Sequence, residues 1–166
     1  MPYEPSDMQK QHMKSCYEHG LEMYAAATVL FQNPKQKVGE IVVYTIHAEC
    51  MMMAFACELF IKTMLYYEGC GKEIRGHSLK SLFEDLSTET QKSVIDFMIN
   101  QCKYKSEDIY RDLDTVKDYF VKTRYEYEEP PKDGHQIRLL HTGFLFSFGY
   151  TLMRRCIAGE SAWENI

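Results

Sequence analysis

The stretch from Ile41 to Leu65 constrains the fold most, because it is apolar on almost every side of a helix. A helix of this kind has to be surrounded by other helices. Its longest apolar run, residues 50–57, has eight residues, whereas a bilayer span needs about 20. The sequence therefore predicts a helix over residues 35–68, bent at Gly39, at the centre of a helical bundle and with no membrane span.

Short polar side chains that can cap helices precede the other apolar stretches. Ser6 and Thr88 each have a glutamine three residues later, which is the spacing of a capping box, and Asn33 before a proline gives a third start signal. Apolar residues at spacings of three and four predict helices over residues 7–32, 79–86, 89–103, 107–127 and 135–158. No segment shows sustained alternation, so no sheet is expected. The predicted fold is an all-α, up-and-down helical bundle of about five to six helices.

The composition is that of one globular unit, and we expect a single helical domain over residues 1–166. The net charge of −5 gives no global excess of cations, so binding to a phosphate backbone needs a local basic patch. Six dispersed cysteines without a CxxC pair, and a polar N-terminus without an apolar signal segment, predict reduced thiols in a cytoplasmic protein. No three or four side chains have the spacing of metal ligands, so we expect neither a metal nor another cofactor.

Glu58 and Lys62 lie four residues apart on the predicted central helix, in the orientation that favours pairing across one turn. Burying either charge alone is costly, so the two groups should pair with each other or with further polar groups. This pair is either a structural ion pair or part of a binding site.

His77 is a second candidate, because it comes one residue before a predicted helix cap, Ser78. A histidine there can bind an anion beside free backbone N–H groups, or take part in acid–base chemistry near neutral pH.

The third candidate is the end of the fifth predicted helix, where Arg124 and Glu128 are spaced to pair and Tyr125 can stack on a base. Each also has a structural interpretation, as a capping histidine, a surface ion pair or a packed tyrosine.

Taken in order, these motifs resemble the HEPN superfamily of helical domains. The resemblance covers about residues 40–155 and rests on Glu-Leu-Phe-Ile-Lys at 58–62, Gly-His-Ser-Leu-Lys-Ser-Leu-Phe at 76–83 and Arg-Tyr-Glu-Tyr-Glu at 124–128. It implies an up-and-down bundle, often dimeric. Such domains are found as nucleotide-binding partners of nucleotidyltransferases, as RNases, and in bacterial defence or toxin–antitoxin systems.

The catalytic members of that superfamily resemble one another in an Arg-x4-His motif that attends the scissile RNA phosphate. Five residues after Arg124 comes Glu129. Five residues after Arg138 comes Gly143, and His141 follows that arginine by only three. The resemblance therefore favours a non-catalytic HEPN-like module over an enzyme. It would act as a homodimer that binds a nucleotide, an RNA or a protein partner such as a nucleotidyltransferase or a toxin. Its candidate ligand-binding residues are Glu58, Lys62, His77, Arg124, Tyr125 and Glu128.

Two alternative functions follow from the same residues. One is a metal-independent endoribonuclease in which His77 or His141 replaces the missing histidine, while Arg124 or Arg138 stabilises phosphate charge. The other is a structural or adaptor bundle that self-associates through an exposed apolar stripe on the first or the last helix.

Overall fold

Helices and one short hairpin follow one another along the chain in a computed structural model that describes residues 6–69, 74–124 and 136–163. Side chains are described for residues 6–69, 74–122 and 141–157. The elements are α1 (Asp7–Gln32), β1 (Lys35–Val38), β2 (Ile41–Tyr44), α2 (Ile46–Tyr67), α3 (Leu79–Glu84), α4 (Thr88–Asn100), α5 (Ser106–Val116), α6 (Tyr119–Arg124) and α7 (Gln136–Trp163). The predicted all-α bundle is confirmed.

The central helix of the bundle is α2, as its apolar sequence predicted. It packs against α1, α3, α6 and α7, and thirteen of its 22 residues are buried. Gly20 lets α1 approach α2 closely, because a Cβ at this position would lie 2.8 Å from a ring carbon of Phe60 in α2. The core continues into α3 and α7 through the fully buried rings of Phe83, Phe144 and Phe148.

The predicted cap is correct at the start of α1 and displaced by one residue at the start of α4. Ser6 forms the predicted capping box, in which its hydroxyl accepts from the backbone N–H of Gln9 and its own N–H donates to the Gln9 side chain. At α4 the cap is Ser87, one residue before the predicted Thr88, and its hydroxyl accepts from the N–H of Thr90. Both caps supply acceptors for N–H groups that have no partner within the helix.

The predicted start of the central helix at residue 35 is wrong, because residues 35–44 form an antiparallel hairpin. The expectation that no sheet is present is wrong for the same segment. Val38 lies opposite Ile41, and the two-residue turn between them has Gly39 at a φ of +63° in its first position, which suits a hairpin turn. The β-branched residues that follow favour a strand over a helix, and they outweigh the start signal at Asn33.

The fifth predicted helix is not continuous over residues 107–127. It is broken between Val116 and Tyr119, and the carbonyl of Lys117 accepts from the N–H of Leu79 at 2.8 Å, which ties the break to the start of α3. Residues 125–127 of this prediction lie outside the described residues. The last helix, predicted to end before Gly159, instead continues to Trp163.

Within residues 6–69, 74–124 and 136–163, none of the helices combines the length and the apolar character that a bilayer span requires.

Candidate functional site

Glu58, Lys62 and His77 form one polar cluster, which we call the Glu58 cluster. The ammonium of Lys62 donates to Oε1 of Glu58 at 2.8 Å, which confirms the predicted pairing. Nδ1 of His77 lies 3.0 Å from Oε1 and 3.1 Å from Oε2 of the same carboxylate. The side chains of Glu58 and Lys62 are 1% and 14% exposed, whereas that of His77 is 53% exposed. The cluster is therefore buried at its carboxylate and open to solvent at its imidazole.

The charges of the Glu58 cluster explain how an acidic side chain can lie inside an apolar helix. A buried carboxylate is tolerated when its oxygens accept hydrogen bonds and an opposite charge lies close by. The protonated amine of Lys62 neutralises Glu58 by itself, so protonation of His77 gives the cluster one excess positive charge. Because a carboxylate oxygen only accepts, Nδ1 of His77 is the donor, and Nε2 is the ring nitrogen left to meet a ligand.

The loop before α3 holds His77 in place. Gly76 has a φ of +98°, a left-handed conformation that favours glycine. On the other side, Ser78 caps α3 by accepting from the N–H of Ser81, and the N–H of Leu79 donates to Lys117. The histidine is thus fixed between a turn and an anchored helix start.

Two backbone N–H groups beside His77 have partners within the protein. The N–H of Leu79 donates to the Lys117 carbonyl, and the N–H of Ser81 donates to the Ser78 hydroxyl. Neither group is available to an anion at the imidazole, so the side chains of the cluster carry more of the proposed binding.

Aromatic rings connect the cluster to α6. The ring of Phe120 lies 5.6 Å from the imidazole of His77 between centroids, and it stacks on Phe55 of α2 at 4.5 Å. Arg124 is one helical turn after Phe120, at the last residue of α6. The backbone of α6 therefore brings Arg124 to the side of α2 on which Phe120 packs. The side chain of Arg124, together with Tyr125 and Glu128, lies outside the described residues.

The charges of the Glu58 cluster also act on a cysteine of α1. Partial burial raises the pKa of the Cys16 thiol, the Lys62 ammonium opposes that rise, and the Glu58 carboxylate adds to it.

Comparison with known proteins supports the family that the motifs suggested. The family model described as HEPN domain matches residues 45–142, which is more than half of the chain. The chain belongs to the HEPN family. No curated protein and no solved structure matches it. The HEPN match runs from the start of α2 to Thr142 in α7 and includes all three residues of the Glu58 cluster, whereas α1 and the hairpin lie outside it.

His141 lies within the HEPN match, next to a residue that contacts a different part of α2. Its neighbour Thr142 exchanges a hydrogen bond with Cys50, at 3.4 Å between Sγ and Oγ1. Cys50 precedes Glu58 by eight residues, or about 12 Å along a helix axis. Nδ1 of His141 is buried and has no hydrogen-bond partner. The side chain of Arg138 lies outside the described residues. The two candidate histidines of the HEPN domain are therefore at different levels of the bundle.

Sequence reasoning did not single out Cys16, whose pKa the charges of the Glu58 cluster affect, or the stacked rings of Phe55 and Phe120, of which Phe120 lies next to His77. Phe120 carried a usable signal, because it precedes Arg124 by four residues and so shares its helix face. Cys16 carried none, since its position depends on how α1 packs on α2.

No group of three His, Cys, Asp or Glu side chains within the described part of this HEPN chain is arranged to hold a metal ion.

Proposed function

We propose that this chain is a non-catalytic HEPN module of the cytoplasm that binds a phosphate-bearing ligand, either a nucleotide or an RNA, at the Glu58 cluster. The observation that carries the proposal is the half-exposed imidazole of His77, held through Nδ1 by the buried carboxylate of Glu58 beside the Lys62 ammonium.

The chemistry of the cluster suits an anion with several oxygens. Nε2 of His77 points away from the carboxylate and donates to a phosphate oxygen when the ring is protonated. Binding of the anion then balances the excess positive charge that the protonated cluster carries. A chain with a net charge of −5 needs such a local patch to hold a phosphate.

Arg124 and Tyr125 complete the proposed site. Arg124 ends a helix that packs on α2 beside His77, and a guanidinium there can bind two phosphate oxygens at once. Tyr125 supplies a ring for stacking on a base, and Glu128 supplies a carboxylate for the ribose hydroxyls or for Arg124.

The five cysteines of the described chain are free thiols, which supports the proposed reducing compartment.

The test is a direct binding measurement on the purified chain. Ligand released by denaturation is identified by mass spectrometry, and the stripped protein is titrated with ATP and with a short single-stranded RNA. We expect saturable binding of at least one of them, weakened about tenfold in His77→Ala. His19→Ala is the matched control, because His19 is an exposed histidine of α1 bonded to its own helix at Ser15.

The two arms of the titration separate the ligand sources. An RNA that contacts several cations binds more weakly as salt is raised, with a slope set by the number of phosphates contacted. Binding of ATP alone identifies a nucleotide site. Absence of binding to both ligands, with no released ligand, contradicts the proposal.

A metal-independent endoribonuclease is the second candidate function, and the contact between Glu58 and His77 favours it. A carboxylate on Nδ1 fixes the tautomer whose Nε2 can act as a general base. Arg124 would then stabilise charge on the scissile phosphate. Cleavage of RNA that is lost in both His77→Ala and Arg124→Ala supports this function, and cleavage unchanged by both substitutions identifies a contaminating nuclease.

A further inference from the structure

The carboxylate of Glu58 fixes one edge of the His77 imidazole, because Nδ1 lies 3.0 and 3.1 Å from its two oxygens. The side chain of His77 is 53% exposed, so solvent borders much of the ring. A histidine ring turns easily about its last side-chain bond. The contact with Glu58 therefore sets where Nδ1 lies, but the tilt of the ring, and with it the direction of Nε2, depends on further contacts.

The ring of Phe120 supplies such a contact. Its centroid lies 5.6 Å from that of the imidazole, and the two planes are tilted by 48°. Phe120 is partly buried and packs against the hydrophobic core, and its ring stacks on Phe55 of α2 at 4.5 Å with an angle of 14° between the planes. Aromatic rings at these distances attract one another. Because Phe55 fixes the ring of Phe120, that ring can in turn restrict the tilt of the imidazole.

The backbone also fixes Phe120 relative to His77. Phe120 belongs to α6, which begins two residues after Lys117. The carbonyl of Lys117 accepts from the N–H of Leu79 at 2.8 Å, two residues after His77. The break that precedes α6 is thus bonded to the end of the loop that carries the imidazole. The two rings therefore keep their spacing through a backbone hydrogen bond as well as through the stack on Phe55.

We propose that Phe120 is a positioning residue, which directs Nε2 of His77 towards the ligand and does not itself contact the ligand. This inference rests on the proposed function, because it takes the ligand to be the phosphate-bearing molecule that binds at His77. A ring that is already oriented loses less freedom when the ligand binds. Removing the ring of Phe120 should therefore weaken binding although every group that contacts the ligand is still present.

The first test uses the free chain and needs no ligand. Ring ¹⁵N spectra at about pH 8, where an ordinary histidine is neutral, report the tautomer of His77. We expect the Nδ1–H tautomer in the wild type and a mixture of both tautomers in Phe120→Leu, because a freer ring spends less time bonded to Glu58. Phe120→Tyr keeps the ring and should retain the wild-type spectrum.

Phe97→Leu is the matched control for the loss of an aromatic ring. Phe97 is also partly buried, and its ring is tilted by 52° against Tyr150 of α7 at 6.2 Å. It belongs to α4, away from the loop that carries His77. We expect Phe97→Leu to leave the His77 spectrum as it is in the wild type, whatever it does to stability.

The second test is a double-mutant cycle on the affinity for ATP, or for the short single-stranded RNA if ATP does not bind. Phe120→Leu should weaken binding about two- to tenfold in the wild-type chain. In His77→Ala, which has no imidazole to orient, the same substitution should change the affinity by less than about twofold. A residue that acts through His77 gives this loss of effect, whereas a residue that contacts the ligand weakens binding in both backgrounds.

Two results would overturn the inference: a wild-type tautomer in Phe120→Leu, or equal weakening in both backgrounds of the cycle. A wild-type chain that binds neither ligand contradicts the proposed function instead, and the tautomer spectra still decide whether Phe120 orients the ring. Phe55→Leu is the second variant if Phe120→Leu does not fold. It removes the ring on which Phe120 stacks and should change the spectrum in the same direction, to a smaller extent.

Discussion

The carboxylate of Glu58 accepts a hydrogen bond from Nδ1 of His77 at 3.0 Å, although nineteen residues separate the two in the chain. The contact ties the middle of the central helix to the loop that precedes α3. It makes the exposed imidazole part of a fixed array, because the carboxylate is itself held by Lys62. A ligand that binds the ring meets a site whose geometry exists before it arrives.

Replacing Glu58 tests how much the buried pair contributes to stability. Glu58→Gln leaves the Lys62 ammonium, which is 14% exposed, without its opposite charge. We expect a loss of about 3 kcal/mol in the free energy of unfolding, measured by urea denaturation. Glu18→Gln is the control, because Glu18 forms an exposed pair with Lys14 at the same i, i+4 spacing. Equal stabilities of the two variants would contradict the burial of the Glu58 cluster.

Two helical glycines give opposite predictions for substitution by alanine. Gly20→Ala forces a Cβ to within 2.8 Å of the fully buried Phe60 ring, and we expect a net loss of about 1 to 2 kcal/mol, since overpacking outweighs the gain in helix propensity. A Cβ at Gly143 would meet no heavy atom of a packing neighbour within 4 Å, so Gly143→Ala should gain up to about 1 kcal/mol. Thermal unfolding measures both changes. A stabilising Gly20→Ala would mean that α1 does not pack closely on α2.

Thiol labelling tests the burial of the cysteines. Burial raises the pKa of the Cys57 and Cys156 thiols, and both side chains are almost completely inaccessible. Cys16 is only partly buried. We expect iodoacetamide at about pH 8 to alkylate Cys16 in the native protein, more slowly than an exposed thiol because burial also raises its pKa. The other two thiols should be alkylated only after unfolding, because the reagent cannot reach them in the native protein. Peptide mapping by mass spectrometry gives the order, and labelling of Cys57 as fast as Cys16 would contradict the packing of α2.

The helices could be predicted where local signals decide the structure. The capping box at Ser6 depends on residues within one helical turn, and the burial of α2 follows from its own apolar sequence. Both predictions are confirmed. The hairpin was missed because Asn33 followed by proline has the sequence pattern of a helix N-terminus. The apolar residues of β2 also run on into α2 without a polar break. The interruption after Val116 depends on a hydrogen bond between Lys117 and Leu79, which no local pattern indicates.

The candidate site divides in the same way. The pairing of Glu58 with Lys62 follows from their spacing on one helix, so the sequence was sufficient. The contact of His77 with Glu58 arises because the loop before α3 folds back onto α2. Its contact with Phe120 depends on the break before α6. Both are tertiary features. Sequence could nominate His77 but could not identify its partners.

The nitrogen chemical shifts of His77 on addition of ligand test the central claim most directly. In ¹⁵N-labelled protein the signals are assigned by their loss in His77→Ala, and the Nδ1–H tautomer should be present in the free chain. Addition of ATP or of a short RNA should shift the Nε2 signal of His77 in a saturable way and leave His19 unchanged. A ligand that binds while the His77 signals stay where they were would show that the Glu58 cluster is not the binding site.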